Sequence, residues 1–226
     1  MLTRTNTVTG VEYRDDPSIA LWELLNEGQA LAKNRSAYLD WVQEMASFVS
    51  DLAPRQLVGS GGLGTYDHVP AWATEADDWV PSGTAMDYVA VNSTDAIDAC
   101  SFHTYPDSLR GHWGLTPAET KRWIRGHVAD AHETVGKPAY NGEWGYGVRR
   151  HGDEQRTSVE VRNRLYETYF DWYDEFDLDG SVVFHLSPGE ADPRRPYGIA
   201  YPQDERTGAL IQEYGALVTN KSESEV

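Results

Sequence analysis

The sequence predicts an α/β fold built on parallel strands, and three observations predict it. Short apolar runs alternate with amphipathic helical stretches along the chain, the pattern of a parallel sheet covered by helices. The run Ile19–Leu25 is apolar except for Glu23 and is bounded by Asp16-Pro17 and Gly28, so it reads as a strand buried on both faces. It ends in Asn26 and Glu27, and a second short strand, within Lys137–Gly145, ends in Glu143. In parallel α/β barrels the chemistry gathers at the carboxyl ends of the strands.

Taken in order, residues 1–18 are polar and Thr-rich and lead into the first strand. Ser36 to Asp51 reads as a helix with Tyr38, Trp41, Val42, Met45, Phe48, Val49 and Leu52 on one face, and Pro54 follows it. Leu57–Gly59 is a brief strand, and Ile97–Tyr105 is the next one. Thr116, Pro117 and Glu119 form a capping box that starts a helix. Trp123, Ile124, Val128 and Ala131 make its buried face, and Gly136 and Pro138 end it. A long helix from Ser158 to Phe176 shows Leu165, Tyr166, Tyr169, Trp172, Tyr173 and Phe176. Ser181–Leu186 is the last strand, and a helix over 204–218 leads to a frayed tail, 221–226. No repeat and no linker divides the chain, so residues 1–220 are expected to form one domain.

The chain has 226 residues, enough for one sizeable core but fewer than the roughly 250 of an eight-strand barrel. Its formal net charge is −17, from 36 acidic and 19 basic residues. Such a surface repels nucleic acid and anionic membranes, and with lysine confined to positions 33, 121, 137 and 221 it suits high salt. Cys100 is the only cysteine, so no intrachain disulfide forms. No apolar run reaches membrane-spanning length, and the first residues lack a signal-peptide pattern. The 8 Trp and 13 Tyr serve a core or offer flat apolar faces to sugar rings.

Other chemistries fit poorly. Gly59-Ser-Gly61-Gly-Leu-Gly64 has dinucleotide spacing, but Thr65–Pro70 is no amphipathic helix start, and a pyrophosphate needs a helix N-terminus. His127 and His132 are five apart and do not share a helix face as a zinc pair does. No Gly-x-Ser-x-Gly elbow occurs. No cofactor and no metal are expected. Two strand-end glutamates instead suit glycoside cleavage, one protonating the leaving oxygen and one attacking the anomeric carbon.

Three motifs carry a resemblance. Tyr13–Glu27 closely resembles the fourth-strand motif of glycoside hydrolase family five, especially its endo-β-1,4-mannanases. Ser101-Phe-His103-Thr-Tyr105-Pro-Asp107 is similar to the sixth-strand motif, and Asn141-Gly-Glu143-Trp-Gly145 to the seventh. They occur in the family's order, and the similarity runs from about residue 5 to residue 217.

The resemblance implies a (β/α)8 TIM-barrel type of fold, present in part, with the five strands as the fourth to eighth. It implies that Glu27 is the general acid/base and Glu143 the nucleophile of a retaining mechanism, with carboxyls about 5–5.5 Å apart. Glu27 must then hold its proton at working pH while Glu143 is ionised. Tyr105 matches the tyrosine that donates to the nucleophile, His103 the histidine near the acid/base, and Asn26 the residue that binds the sugar 2-hydroxyl. Trp113 and Trp144 are candidate sugar platforms, and Phe184 stands where the family places a tryptophan under the −1 sugar. The implied partner is a β-linked oligo- or polysaccharide, mannan before glucan. The arginine and histidine that the family's first three strands supply have no counterpart here, so an upstream-encoded half-barrel is a further expected partner. A non-catalytic carbohydrate-binding remnant and a cellulase are the alternatives, and similar enzymes are often secreted.

Overall fold

A computed structural model describes residues 1–74, 77–80, 86–108, 114–148, 158–189 and 196–224. The elements are β1 (Leu21–Glu23), α1 (Arg35–Leu52), β2 (Leu57–Gly59), α2 (Tyr88–Asn92), β3 (Cys100–Thr104), α3 (Pro117–Ala129), β4 (Ala139–Trp144), α4 (Val159–Glu175), β5 (Gly180–Val183), β6 (Leu186–Pro188), β7 (Ile199–Tyr201) and α5 (Glu205–Ser224). They divide into two compact units. One holds Met1–Thr104, Arg122–Gly142 and Leu178–Ser181, and the other holds Tyr105–Lys121, Glu143–Asp177 and Val182–Val226.

In the first unit β1 and β2 run parallel with Trp22 opposite Val58. Pairing continues past the strand ends, through Leu24 N–H to Gly59 O (3.1 Å) and Glu27 N–H to Gly61 O (2.8 Å). Gly59 then meets Ala99 in a parallel bridge, and β3, β4 and β5 follow as neighbours in that order. β1 is not buried on both faces as expected. Among the described residues its one strand neighbour is β2, Trp22 is half-buried and Glu23 is exposed.

The core of this unit joins Val42, Ala46 and Val49 of α1 to Val58, Val91 and Ile97. Residues 42, 46 and 49 follow the i, i+4, i+7 spacing of one helix face. The expected face is therefore rotated, for Ala46 is buried and Phe48 is 53% exposed. Cys100 is fully buried in β3, where burial pushes its thiol up to about 12. The buried face is the expected one, with Trp123, Ile124 and Val128 of α3 and Ala131 just past it all shielded. α3 passes into a π-helical turn, Asp130–Val135, and stops at Gly136, whose φ of 76° is left-handed.

The second unit holds the start of α3, where the capping box is closed. Thr116 N–H donates to Glu119 Oε2 (2.7 Å), and Glu119 N–H donates to Thr116 Oγ1 (3.3 Å). Loss of the hydroxyl leaves an N-terminal donor without its acceptor. Thr116→Ala should therefore cost about 1 kcal/mol, read as a lower urea midpoint at unchanged slope. An unchanged midpoint would show that the cap contributes nothing.

Trp144, at the end of β4, packs edge-on against Tyr166, Phe170 and Tyr173 of α4, and Phe170 stacks on Tyr214 of α5 at 4.4 Å. Arg162, fully buried, donates to Asp204 Oδ2 (2.8 Å) and Thr207 Oγ1 (2.9 Å). The expected strand Ser181–Leu186 is instead two. The chain bends at Phe184, and β6 pairs in parallel with β7 rather than extending β5. An apolar run records that a strand exists but not which partner each half finds. The last helix is longer than expected and runs to Ser224, into the anticipated tail, because no Gly or Pro after Val218 stops it. Among the described residues no helix is long and apolar enough to cross a membrane.

Candidate active site

Glu27 sits just beyond β1 with a left-handed φ of 43°, a conformation that a residue with a Cβ holds only when its surroundings fix it. The fixing contact is its N–H bond to Gly61 O. Gly61, with φ +70°, must be glycine, since a Cβ there would lie 2.8 Å from Leu25 O and 3.2 Å from the Glu23 Cβ. The Gly-x-Gly-x-x-Gly spacing is thereby accounted for by close backbone approach. Its loop leads to no helix among the described residues before α2.

Glu27 Oε1 lies 2.8 Å from His103 Nδ1. The imidazole is fully buried and the Glu27 side chain is 37% exposed. His103 is held from two directions: its N–H donates to Leu63 O (3.1 Å) and its carbonyl accepts from Trp123 Nε1 (2.9 Å). A carboxyl open to solvent on one side and bonded to a fixed imidazole on the other can exchange a proton without losing its place. Asn26 is exposed beside it.

In the second unit Glu143, half-buried, accepts a hydrogen bond from Tyr105 Oη to its Oε2 (2.7 Å). A phenol donor orients a carboxylate. Tyr105 lies one residue past β3 and is 9% exposed. Its ring meets Tyr197 edge-on at 4.9 Å and Phe184 at 6.0 Å. Tyr197 Oη also donates to Asp107 Oδ1 (3.2 Å), and Asp107 Oδ2 accepts from Gly147 N–H (3.0 Å). Sequence reasoning did not find Tyr197, which stands in a Pro-rich connection with no periodic signal.

Of the expected substrate-binding residues, His103 is brought to Glu27, and Tyr105 and Phe184 are brought together beside Glu143. Phe184 is 39% exposed and offers part of its ring to solvent. Trp144 is a correction: at 1% exposure inside the α4 aromatic cluster it is a core residue and not a sugar platform. Trp113 lies outside the described residues. Asp67, His68 and Asp87 bring one ligand atom each within 4.8 Å of one another. Arg35 already pairs with Asp67, and Asp87 caps α2 at Ala90 N–H (2.8 Å), so both carboxylates are engaged.

One strand thus leads to a carboxyl bonded to a histidine in the first unit, and another ends in a carboxylate bonded to a tyrosine in the second. Residues 1–182 match the family described as GH family 5 beta-mannosidase-like. The chain is 33% identical to putative mannan endo-1,4-beta-mannosidase 4 of Arabidopsis thaliana, over 95% of this chain and 54% of that protein. It is 37% identical to mannan endo-1,4-beta-mannosidase 4 of Oryza sativa subsp. japonica, over 95% and 49%. The endo-beta-1,4-mannanase of Thermotoga petrophila superposes with a TM-score of 0.74 at 26% identity, covering 96% of this chain and 48% of that one. The endo-1,4-beta-mannanase of Rhizomucor miehei has the same fold, with a TM-score of 0.78 at 22% identity over 97% and 58%. The chain belongs to glycoside hydrolase family 5, and its fold is of the TIM-barrel type, present in part. It spans about half the length of the curated relatives it matches.

Proposed function

We propose that the chain carries both catalytic carboxyls of a retaining glycoside hydrolase acting on β-1,4-linked mannan. The observation that carries this reading is the 2.7 Å bond from Tyr105 to Glu143. It gives one strand-end carboxylate a dedicated donor while the other, Glu27, keeps an imidazole neighbour and access to water. Unlike surroundings suit unlike roles. Glu143 attacks the anomeric carbon while Glu27 protonates the departing oxygen. Glu27 then takes a proton from water, which attacks the glycosyl ester and releases Glu143. Asn26 holds the 2-hydroxyl, and Phe184 lies under the −1 sugar. Mannan is favoured over glucan because the Arabidopsis thaliana and Oryza sativa relatives bear mannan-cleaving names.

The chain spans only part of its relatives, so the strands they carry beyond the matched half, supplied in trans, are proposed to raise the activity. Reducing-end release from mannan, glucomannan and carboxymethylcellulose tests the reading, with the chain alone and with those strands added. Release from mannan first, and more with the added strands, is expected. Preference for carboxymethylcellulose would overturn the mannan assignment and leave the mechanism standing. Binding without release in either state would replace catalysis by a carbohydrate-binding role.

A further inference from the structure

His127 is fully buried in α3, and both of its ring nitrogens face backbone carbonyls: Nδ1 lies 2.8 Å from Trp123 O, and Nε2 lies 2.8 Å from Gly64 O. A neutral imidazole donates from one nitrogen and presents a lone pair at the other. Whichever tautomer formed, that lone pair would point at a carbonyl oxygen at hydrogen-bond distance. Only the doubly protonated ring satisfies both contacts. The ring is also surrounded by aromatic rings, with centroids at 4.1 Å (Trp123), 4.6 Å (Tyr88), 4.8 Å (Phe102, stacked), 5.3 Å (Tyr66) and 5.9 Å (Trp72). A stacked aromatic face stabilises a cation.

The clamp bears on the loop that seats the first half of the site. Gly64 accepts from His127, Leu63 accepts from the His103 N–H, and Gly61 accepts from the Glu27 N–H. Gly64 has φ +93°, and a Cβ there would lie 2.5 Å from His127 Nε2, so the close approach is built into the loop. We propose that His127 is a buried imidazolium that clamps the Gly61–Gly64 loop and so positions the Glu27–His103 pair. As a role in catalysis this rests on the reading of Glu27 as acid/base; as a charge state it does not.

The titratable groups packed around the ring are the phenols of Tyr66 and Tyr88, both pushed up by burial, and the Asp130 carboxylate, which accepts from Tyr66 Oη (2.8 Å) and Trp72 Nε1 (3.0 Å). Burial opposes the charge on the imidazole, while the two carbonyls and Asp130 favour it. The geometry requires the favouring contacts to prevail, with the two carbonyls and the stacked Phe102 ring replacing the lost hydration. The two balances predict opposite signs. A ring that gains a proton preference on folding stabilises the chain at low pH and loses that contribution as pH rises through its folded value. A buried neutral ring would instead destabilise on acidification.

Nitrogen NMR of the histidine side chains in the intact chain, assigned with His127→Gln, decides the charge without any activity measurement. Both His127 nitrogens are expected to carry protons at about pH 7.5, where an ordinary imidazole is mostly neutral. One unprotonated nitrogen there overturns the proposal. In folded His127→Gln the amides of Glu27 and His103 are expected to exchange about tenfold faster while that of Val49 in α1 is unchanged. Unchanged exchange at all three overturns the clamp. Should that variant not fold, the same amides are followed in the unsubstituted chain as pH rises and His127 loses its proton. Loosening confined to Glu27 and His103 supports the clamp, and its absence overturns it.

Discussion

Glu143→Ala is expected to lower mannan hydrolysis on the order of 10⁴-fold or more, the scale seen when a covalent nucleophile is removed. The substitution leaves Tyr105 Oη, now bonded at 2.7 Å to Glu143, without its acceptor, but Tyr105 keeps its ring contacts with Tyr197 and Phe184. The fold should therefore survive, and circular dichroism should match the unsubstituted chain. A small external anion such as azide has room where the carboxylate stood and attacks the anomeric carbon once. Its product should then have the anomeric configuration opposite to that of normal turnover. Glu27→Ala should behave differently. Substrates with good leaving groups need no protonation of the departing oxygen, so aryl mannosides should still be attacked while mannan is not. Retained turnover in Glu143→Ala, or rescue in Glu27→Ala with inverted product, would move or exchange the roles.

The second large effect is on stability. Trp144→Ala should destabilise the chain by about 3–5 kcal/mol, the cost of emptying a packed indole site. The ring is 1% exposed and has four α4 aromatics around it, with centroids between 4.5 and 6.2 Å. Its buried indole N–H has no acceptor among the described residues, so Trp144→Phe gives up ring area but no hydrogen bond and should cost less. Urea unfolding of the three chains measures the order. Unchanged stability together with weaker mannan binding would return Trp144 to the role of sugar platform.

Much of this molecule is legible in its sequence. The cap at Thr116 and Glu119, the burial of Trp123, Ile124 and Val128 in α3 and the strands that lead to Glu27 and Glu143 are local signals, decided by residues within one turn or one strand. What escaped needs distant partners. Phe184 begins a bend because β7 captures Leu186, and nothing between 181 and 186 encodes β7. The glycines at 59, 61 and 64 have nucleotide-loop spacing, yet they answer to Tyr140, Leu25 and His127 in turn, each from another segment. The burial of Trp144 was within reach, since neighbouring strand residues point to opposite faces, and placing Glu143 on the site side sends Trp144 to α4. The rotated stripe of α1 was missed because large residues outweighed Ala46, although a small side chain lets a helix lie closest to its sheet.

Cys100 turns the middle of the first unit into a clock that needs no added label. It is the only thiol in 226 residues, shielded completely in β3, and its high ionisation value keeps it in the unreactive SH form. A disulfide reagent added to the folded chain therefore waits for the strand to open. At high reagent concentration the colour develops at the opening rate, and at low concentration it follows the small population already open. The two regimes together report how often, and for how long, the strand leading to His103 comes apart.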